Sequence, residues 1–188
     1  MDDVDDVPNL DRRLLSMLHG YGSDPRVALA ARALSRAGEH GALWLAAGLA
    51  GAAVDRERRG AWLRGTALTA GAHLVSMGVK RVVRRPRPAH VEPLVRTAGR
   101  HSFPSSHASS AAAAAVAYGA LRAPLLGSLV PPLAAAMCVS RLVVGVHYPS
   151  DVAAGVALGA ATARLGARWM TEAVAAPTAP ATGCADYG

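Results

Sequence analysis

Apolar residues occur along this chain in long runs, separated by short charged or proline-containing segments. The runs predict helices at about 40–54, 61–80, 106–121, 124–143 and 149–170, and no stretch alternates as a strand does. The uninterrupted runs are about 14 to 20 residues long, whereas a helix that spans a membrane needs about 20. The pattern predicts a bundle of helices joined mostly by short connections, with one long loop at 81–105.

Two shorter helices are predicted before this bundle. Residues 10–22 carry an amphipathic pattern that ends in glycine, and the next helix begins at a Ser23 or Asp24 cap with Pro25 in its first turn. Arginines interrupt its apolar face, so this helix could lie at the membrane interface as easily as it could span the membrane. We therefore expect an all-α fold: an integral-membrane helical bundle of about five to six helices with N-terminal amphipathic helices.

The 188 residues predict one membrane-embedded unit with two flanking segments. Residues 1–22 form an acidic N-terminus and short amphipathic helix, 23–175 the helical bundle, and 176–188 a disordered tail rich in Pro, Ala and Thr. The N-terminus lacks the basic-then-apolar order of a signal peptide, so internal segments must supply any membrane insertion. Basic residues flank both ends of the bundle, so the positive-inside rule does not orient it.

The composition agrees with a membrane bundle. Hydrophobic residues make up 52% of the chain, aromatic residues 4% and charged residues 18%. Small apolar side chains suit helices whose backbones pack closely in a membrane. The net charge of +7 indicates an acidic partner. Cys138 and Cys184 are predicted to be unpaired thiols, and the chain contains neither a C-x-x-C nor an H-E-x-x-H zinc motif.

Polar residues concentrate where four of the predicted helices begin or end. In an up-and-down bundle those four termini lie at the same end, so their polar side chains are expected to converge. The candidate site residues are Lys80, Arg87, Ser105, Ser106, His107, Arg141, His147 and Asp151. Three cations and the amino end of a helix form a binding site suited to phosphate.

These residues form a three-part motif: K-x6-R-P at Lys80–Pro88, P-S-S-H at Pro104–His107, and S-R-x5-H-x3-D at Ser140–Asp151. The motif resembles the signature of the type 2 phosphatidic acid phosphatase superfamily, the lipid phosphate phosphatases. The family usually has P-S-G-H, so Ser106 is a departure. The short chain and its basic loop look most like small actinobacterial members, which act on polyprenyl-linked sugar phosphates such as decaprenylphosphoryl 5-phosphoribose in cell-wall precursor synthesis.

The resemblance implies a multi-pass enzyme of the cell membrane that hydrolyses a lipid-linked phosphomonoester. It assigns phosphate binding to Lys80, Arg87, Ser105, Ser106 and Arg141, with His107 beside them. It makes His147 the nucleophile that forms a phosphohistidine, with Asp151 orienting the ring, and His107 the general acid and then base. The scheme requires neither metal nor cofactor and no nucleic acid, and nothing in the sequence predicts an oligomeric state.

Other functions remain open at this point. Phosphatidylglycerophosphate, phosphatidate and undecaprenyl diphosphate are alternative substrates. Vanadate-dependent haloperoxidases and soluble acid phosphatases carry the same signature, but haloperoxidases are far longer than this chain. A nucleic-acid-binding protein would use residues 80–100, and only Phe103, just after this segment, offers a stacking side chain near the cations. A catalytically inactive membrane scaffold is disfavoured because every expected catalytic position is filled.

Several basic residues lie outside the motif. Histidines 19, 40 and 73 are expected to be structural or interfacial. Arg100 and His101, in the loop 81–105, are candidates for contact with the substrate head group. Arg81, Arg84 and Arg85 are expected to meet anionic lipid head groups at the membrane surface.

Overall fold

A computed structural model describes residues 6–97, 99–121 and 126–172 of the chain. These residues form eight α-helices and two short 3-10 helices, Tyr21–Ser23 and Glu39–Gly41. The α-helices are α1 (Asp6–Gly20), α2 (Pro25–Ala37), α3 (Ala42–Val54), α4 (Arg59–Val83), α5 (Ser106–Ala120), α6 (Leu126–Val143), α7 (Pro149–Leu165) and α8 (Ala167–Glu172). The prediction of an all-helical bundle is confirmed for this part of the chain, whereas the tail 176–188 lies outside it.

Two helix boundaries explain how the chain enters and leaves the bundle. The predicted cap of α2 is confirmed, because the Asp24 carboxylate accepts a hydrogen bond from Arg26 N at 2.7 Å and Pro25 occupies the first turn. Helix α4 runs past the predicted end at Lys80 and stops at Arg84, which has a left-handed φ of 52°. Lys80 therefore lies in the last turn of α4, where the orphan carbonyl groups favour a cation.

Helix α5 is the centre of the bundle and contacts α4, α6 and α7. Its sequence, SHASSAAAAAVAYGA, consists largely of alanine and serine, and ten of its 15 residues are buried. Such short side chains let neighbouring helices approach on three sides, at the cost of little apolar area per residue. The small side chains noted in the composition are therefore prominent in the helix that carries the P-S-S-H motif.

Glycines of α7 permit the closest helix contact. A Cβ built on Gly155 would lie 2.5 Å from Ser105 O and 3.0 Å from Ala108 Cβ, and one on Gly159 would overlap Ser109 O. These distances are far inside normal contact, so the backbones of α5 and α7 touch at both positions. The two glycines of the G-x-x-x-G motif therefore allow α7 to pack in direct backbone contact with the beginning of α5.

The opposite end of α5 is held by an aromatic cluster. Trp62 and Tyr118 have ring centroids 5.2 Å apart, and the Tyr118 hydroxyl donates to Trp44 O at 3.0 Å. All three side chains are buried. Large rings occur here because α3 offers Gly48 and Gly51 opposite Tyr118 and Trp62. This cluster anchors one end of the bundle and leaves the other end free for polar groups.

At that other end α4 and α6 finish and α5 and α7 begin, and the loop 84–105 folds over them. Leu94 N donates to Val144 O at 3.0 Å, and Pro86 and His101 form an isolated β-bridge that closes the base of the loop. The N-terminal helices α1 and α2 both pack against α6. None of the helices in the described ranges combines the length and the apolar character that a membrane span requires.

Candidate active site

A cavity of about 230 Å³ lies at the end of the bundle where the loop 84–105 covers the helix termini. Its lining includes six of the eight candidate residues: Lys80, Arg87, Ser106, His107, Arg141 and His147. Ser105 lies directly beneath as the N-cap of α5, and its N–H donates to Asp151 O at 2.9 Å. The structure therefore brings all eight residues to one place, although they come from four helices and two loops.

Three cations of the candidate set line this cavity, and Arg96 of the loop 84–105 is a fourth. Arg141 is 2% exposed, and Lys80 and Arg87 are partly buried. Among the described residues, no carboxylate lies within ion-pairing distance of any of them. Desolvation of a cation is costly unless a negative group compensates it. The cavity is therefore electrostatically prepared for an anion that carries more than one negative charge.

Hydrogen bonds to neutral groups orient the two arginines among these cations. Arg87 donates from Nε to Gly99 O and from Nη1 to Val146 O, both at 2.8 Å. Burial lowers the pKa of Arg87, although the negative charge of Asp151 opposes that effect. Arg141 donates from Nη1 to Ser35 Oγ, whereas its Nε is buried without a partner in the described chain. Fixed guanidinium planes of this kind match the geometry of phosphate oxygens.

The first turn of α5 adds backbone donors. Ser105 caps the helix, with its Oγ accepting from Ala108 N at 3.5 Å. The N–H groups of Ser106 and His107 belong to the first positions of the helix, which have no partner within it. The Ser106 Oγ lies 3.7 Å from Met77 Sδ, and Ser106 is not among the described residues with positive φ. The backbone at this position therefore does not need the glycine that the family motif usually has.

His147 and Asp151 form a buried pair below the cations. His147 is 2% exposed and Asp151 is fully buried. The distance from His147 Nδ1 to Asp151 Oδ2 is 3.6 Å, which is long for a hydrogen bond, and Nδ1 has no other partner in the described chain. Burial lowers the pKa of His147 to about 3. The contact with Asp151 raises this pKa, whereas the nearby cations lower it further. The ring is therefore neutral near pH 7, as a nucleophile must be.

A network of charges holds Asp151. Its Oδ2 accepts from Tyr148 N and its Oδ1 from Arg85 Nη1, both at 2.9 Å. Arg85 also donates from Nη2 to Asp11 Oδ2 of α1 at 2.8 Å, and Asp11 accepts from Ser150 N at 3.0 Å. Burial disfavours the charge on Arg85, but the hydrogen bonds and charges of Asp11 and Asp151 outweigh it and raise its pKa.

The structure gives Arg85, which was expected at lipid head groups, two partners inside the protein. Its side chain is 28% exposed and lies 4.2 Å from the centre of the Tyr148 ring, in addition to both ion pairs. The Arg85 guanidinium therefore links α1 to the carboxylate of Asp151. Asp11, its second partner, was not a candidate in the sequence, although it shares one face of α1 with the apolar Leu15 and Leu18.

Ser35 of α2 is a further residue that the sequence did not indicate. It is 6% exposed, its hydroxyl bonds to Arg141, and its carbonyl oxygen lies 3.1 Å from His107 Nε2. Because a carbonyl only accepts, His107 Nε2 carries a proton in this contact. Ser35 follows Ala28 and Ala31 on the buried face of α2, so helical periodicity was the signal that could have found it.

Two histidines are placed differently from the expectation that they are structural or interfacial. His40 and His73 both line the cavity, beside Glu39. From the loop 84–105 the lining contains Arg96, Thr97 and Gly99, whereas His101 pairs with Pro86. Within the described ranges, no group of three or more His, Cys, Asp or Glu side chains is arranged to hold a metal ion.

Comparison with known proteins gives concordant results. The PAP2 superfamily model matches residues 61–175. The chain is 48% identical over 139 residues to the decaprenylphosphoryl-5-phosphoribose phosphatase of Mycobacterium tuberculosis (strain ATCC 25618 / H37Rv), covering 72% of this chain and 76% of that protein. It is 45% identical over 150 residues to the protein of the same name from Mycolicibacterium smegmatis, covering 77% and 80%.

A solved structure shares the fold. The crystal structure of a transmembrane PAP2-type phosphatidylglycerolphosphate phosphatase from Bacillus subtilis aligns with a TM-score of 0.59 and 21% sequence identity. The alignment covers 92% of this chain and 98% of that one. At this identity the likeness shows a common architecture.

Proposed function

The chain belongs to the PAP2 superfamily, and we propose that it is a membrane phosphatase that hydrolyses the phosphomonoester of a polyprenyl-linked sugar, of the type decaprenylphosphoryl 5-phosphoribose. The observation that carries this proposal is the cavity with three unpaired cations at the amino end of α5, beside a neutral buried histidine. The relatives at 48% and 45% identity support the substrate through their names. They favour a phosphatase over a haloperoxidase, a scaffold or a nucleic-acid-binding protein.

In this proposal Lys80, Arg87 and Arg141 hold the three non-bridging oxygens of the phosphate, together with the amides of Ser106 and His107. Phosphoryl transfer depends mainly on positioning and charge stabilisation. Since the two arginines are already fixed by neutral hydrogen-bond partners, little reorganisation of their side chains is needed when charge develops in the transition state.

The reaction proceeds in two displacements at phosphorus. His147 Nε2 attacks with its lone pair, and the bond from phosphorus to the sugar oxygen breaks. His107, which begins this step protonated at both ring nitrogens, gives its Nδ1 proton to the departing oxygen. Asp151 stabilises the charge on His147, and the 3.6 Å contact shortens as that charge forms. A water molecule then attacks the phosphohistidine and gives a proton to His107, which releases inorganic phosphate and restores the neutral His147. Ser35 O holds His107 Nε2–H throughout, so Nδ1 exchanges the proton.

A membrane location is supported by the outer surface of the bundle. Large apolar side chains point outward from α3, α4 and α6, among them Leu49 (55% exposed), Leu74 (69%) and Leu129 (58%). Exposed apolar surface of this kind is typical of contact with lipid or another protein. The polyprenyl chain of the substrate would remain in the hydrocarbon layer of the membrane, which these side chains would contact. Recovery of the protein in the supernatant after detergent-free lysis would contradict this location.

The test of the proposed function is phosphate release by the purified full-length protein in detergent with excess EDTA. The panel contains decaprenylphosphoryl 5-phosphoribose, phosphatidylglycerophosphate, phosphatidate and undecaprenyl diphosphate. We expect release that survives EDTA and is fastest from the sugar phosphate. A preference for another panel member would correct the substrate, and no release from a folded protein would overturn the phosphatase assignment.

The hydrogen-bond network around Asp151 leads to a second prediction. Replacing Arg85 with Met removes one of the hydrogen bonds that hold the carboxylate, and a hydrogen bond to a charged group contributes about 1.5–3 kcal/mol, so we expect kcat to fall about 10- to 100-fold. Asp11→Asn should act in the same direction, and a double-mutant cycle should show non-additive losses because both residues act through one network.

The control for this prediction is Arg81→Met, which removes an exposed arginine from the same segment. It should leave kcat unchanged. If Arg85→Met weakens binding to vesicles that contain anionic lipid but leaves kcat intact, Arg85 acts at the membrane surface and the network does not position Asp151.

A further inference from the structure

The segment 38–41, between α2 and α3, brings two side chains to the cavity that the phosphate chemistry does not use. These are Glu39 and His40. His40 has φ 53° and ψ 17°, and Gly41 has φ 75°, so two successive residues adopt the left-handed conformation. That conformation is unfavourable for a residue with a Cβ and is concentrated at functional sites. Since His40 is exposed, packing of its side chain does not explain the strained backbone.

The segment lies against the histidine proposed as general acid. A Cβ built on Gly38 would lie 2.7 Å from His107 Cδ2, so the Gly38 backbone packs directly on that ring. In phosphoryl transfer the leaving oxygen lies roughly opposite the attacking atom, and the general acid must reach it. With His147 as the attacking group, His107 marks the leaving-group side of the cavity. The residues that follow Gly38 therefore lie beside the leaving group.

The chemistry of Glu39 does not suit the phosphate itself. Its side chain is exposed and forms no hydrogen bond or ion pair with other described residues, although its negative charge acts on Arg141. A carboxylate accepts hydrogen bonds and repels an anion, so it would weaken a site that binds phosphate alone. Its two oxygens can accept from two hydroxyls of a sugar ring, as an acidic side chain does for ribose in dinucleotide-binding proteins. The His40 imidazole supplies one more donor or acceptor.

We propose that Glu39 and His40 form a subsite for sugar hydroxyls, which selects phosphomonoesters whose leaving group is a hydroxylated ring over those of diacylglycerol. The inference rests on the proposed function, because it takes His107 to be on the leaving-group side. Sites that hydrogen-bond a substrate hydroxyl discriminate strongly, since an analogue without it leaves the protein group unpaired.

The test compares kcat/KM for decaprenylphosphoryl 5-phosphoribose and for dioleoyl phosphatidate in the same detergent. Glu39→Ala should lower the value for the sugar substrate about 10- to 100-fold and leave phosphatidate unchanged or slightly faster. His40→Gly keeps a backbone that tolerates positive φ and should give a smaller loss with the same selectivity. The matched control is Glu57→Ala, an exposed glutamate between α3 and α4 at the other end of the bundle, which should affect neither substrate.

A parallel loss on both substrates, or no loss on either, would overturn the subsite. A wild-type enzyme that releases phosphate from neither lipid would instead overturn the proposed function. In that case thermal shifts still decide the subsite, since a ligand raises Tm according to its affinity for the folded protein. Ribose 5-phosphate should raise the Tm of the wild type more than the same concentration of inorganic phosphate does, and Glu39→Ala should abolish the difference. Equal shifts in the wild type would contradict the inference.

Discussion

His147→Ala should abolish turnover, with a loss of more than about 10³-fold in kcat, since removal of a covalent nucleophile leaves only binding and charge stabilisation. The ring is 2% exposed and neutral, and it lies beside the Asp151 carboxylate in the cavity that the cations line. Phosphate release and the trapping of radiolabel from a 32P-labelled substrate measure this prediction. The wild type should retain an acid-labile label, and the variant should retain none.

The control is His90→Ala, which removes an exposed histidine of the loop 84–105. It should keep both activity and label. Label that persists on the His147→Ala protein would show that another residue is the nucleophile. A lower Tm of the variant would point instead to a general loss of structure, and binding of inorganic phosphate would then separate the two explanations.

His107→Ala should slow turnover by about 10² to 10⁴-fold, the usual contribution of general acid–base catalysis. Unlike the loss of His147, this change leaves the nucleophile in place. With p-nitrophenyl phosphate, whose leaving group needs no proton, the first displacement should remain fast while water attack on the phosphohistidine is slow. We therefore expect a burst of nitrophenol equal to the amount of enzyme, and label that accumulates on the protein.

Ser35→Ala separates this specific effect from a general disturbance of the site. It removes the hydroxyl that bonds to Arg141 but keeps the carbonyl that holds His107. Turnover should fall because a buried guanidinium loses a partner, and label should not accumulate. Absence of a burst in His107→Ala, with slow formation of label, would show that His107 does not act in the second displacement.

The order of apolar runs was sufficient to predict the bundle and the meeting of the candidate residues. Antiparallel helices place alternate termini together, so Lys80, His107 and Arg141 had to lie at one end once the runs were identified as helices. The end of α4 was less predictable, because the chain continues as helix until the left-handed Arg84, past the point where the charges begin.

The packing partners of the N-terminal helices were beyond such reasoning. Ser35, Asp11 and Glu39 reach the site only because α1 and α2 pack across α6, and a helical pattern predicts the buried face of a helix without naming its neighbour. The same limit explains Arg85. Its sequence context is that of a basic surface patch, and only the tertiary structure shows that it forms ion pairs with two carboxylates.

The link from α1 through Arg85 to Asp151 also provides a way to inhibit the enzyme without occupying the phosphate cavity. A small molecule that separates α1 from α6 and α7 would withdraw Asp11 from Arg85 and loosen the carboxylate beside His147. Such a compound would lower kcat and leave KM nearly constant, and lipid substrate would not compete with it. It would also avoid the polyanionic character that any mimic of the phosphate must carry.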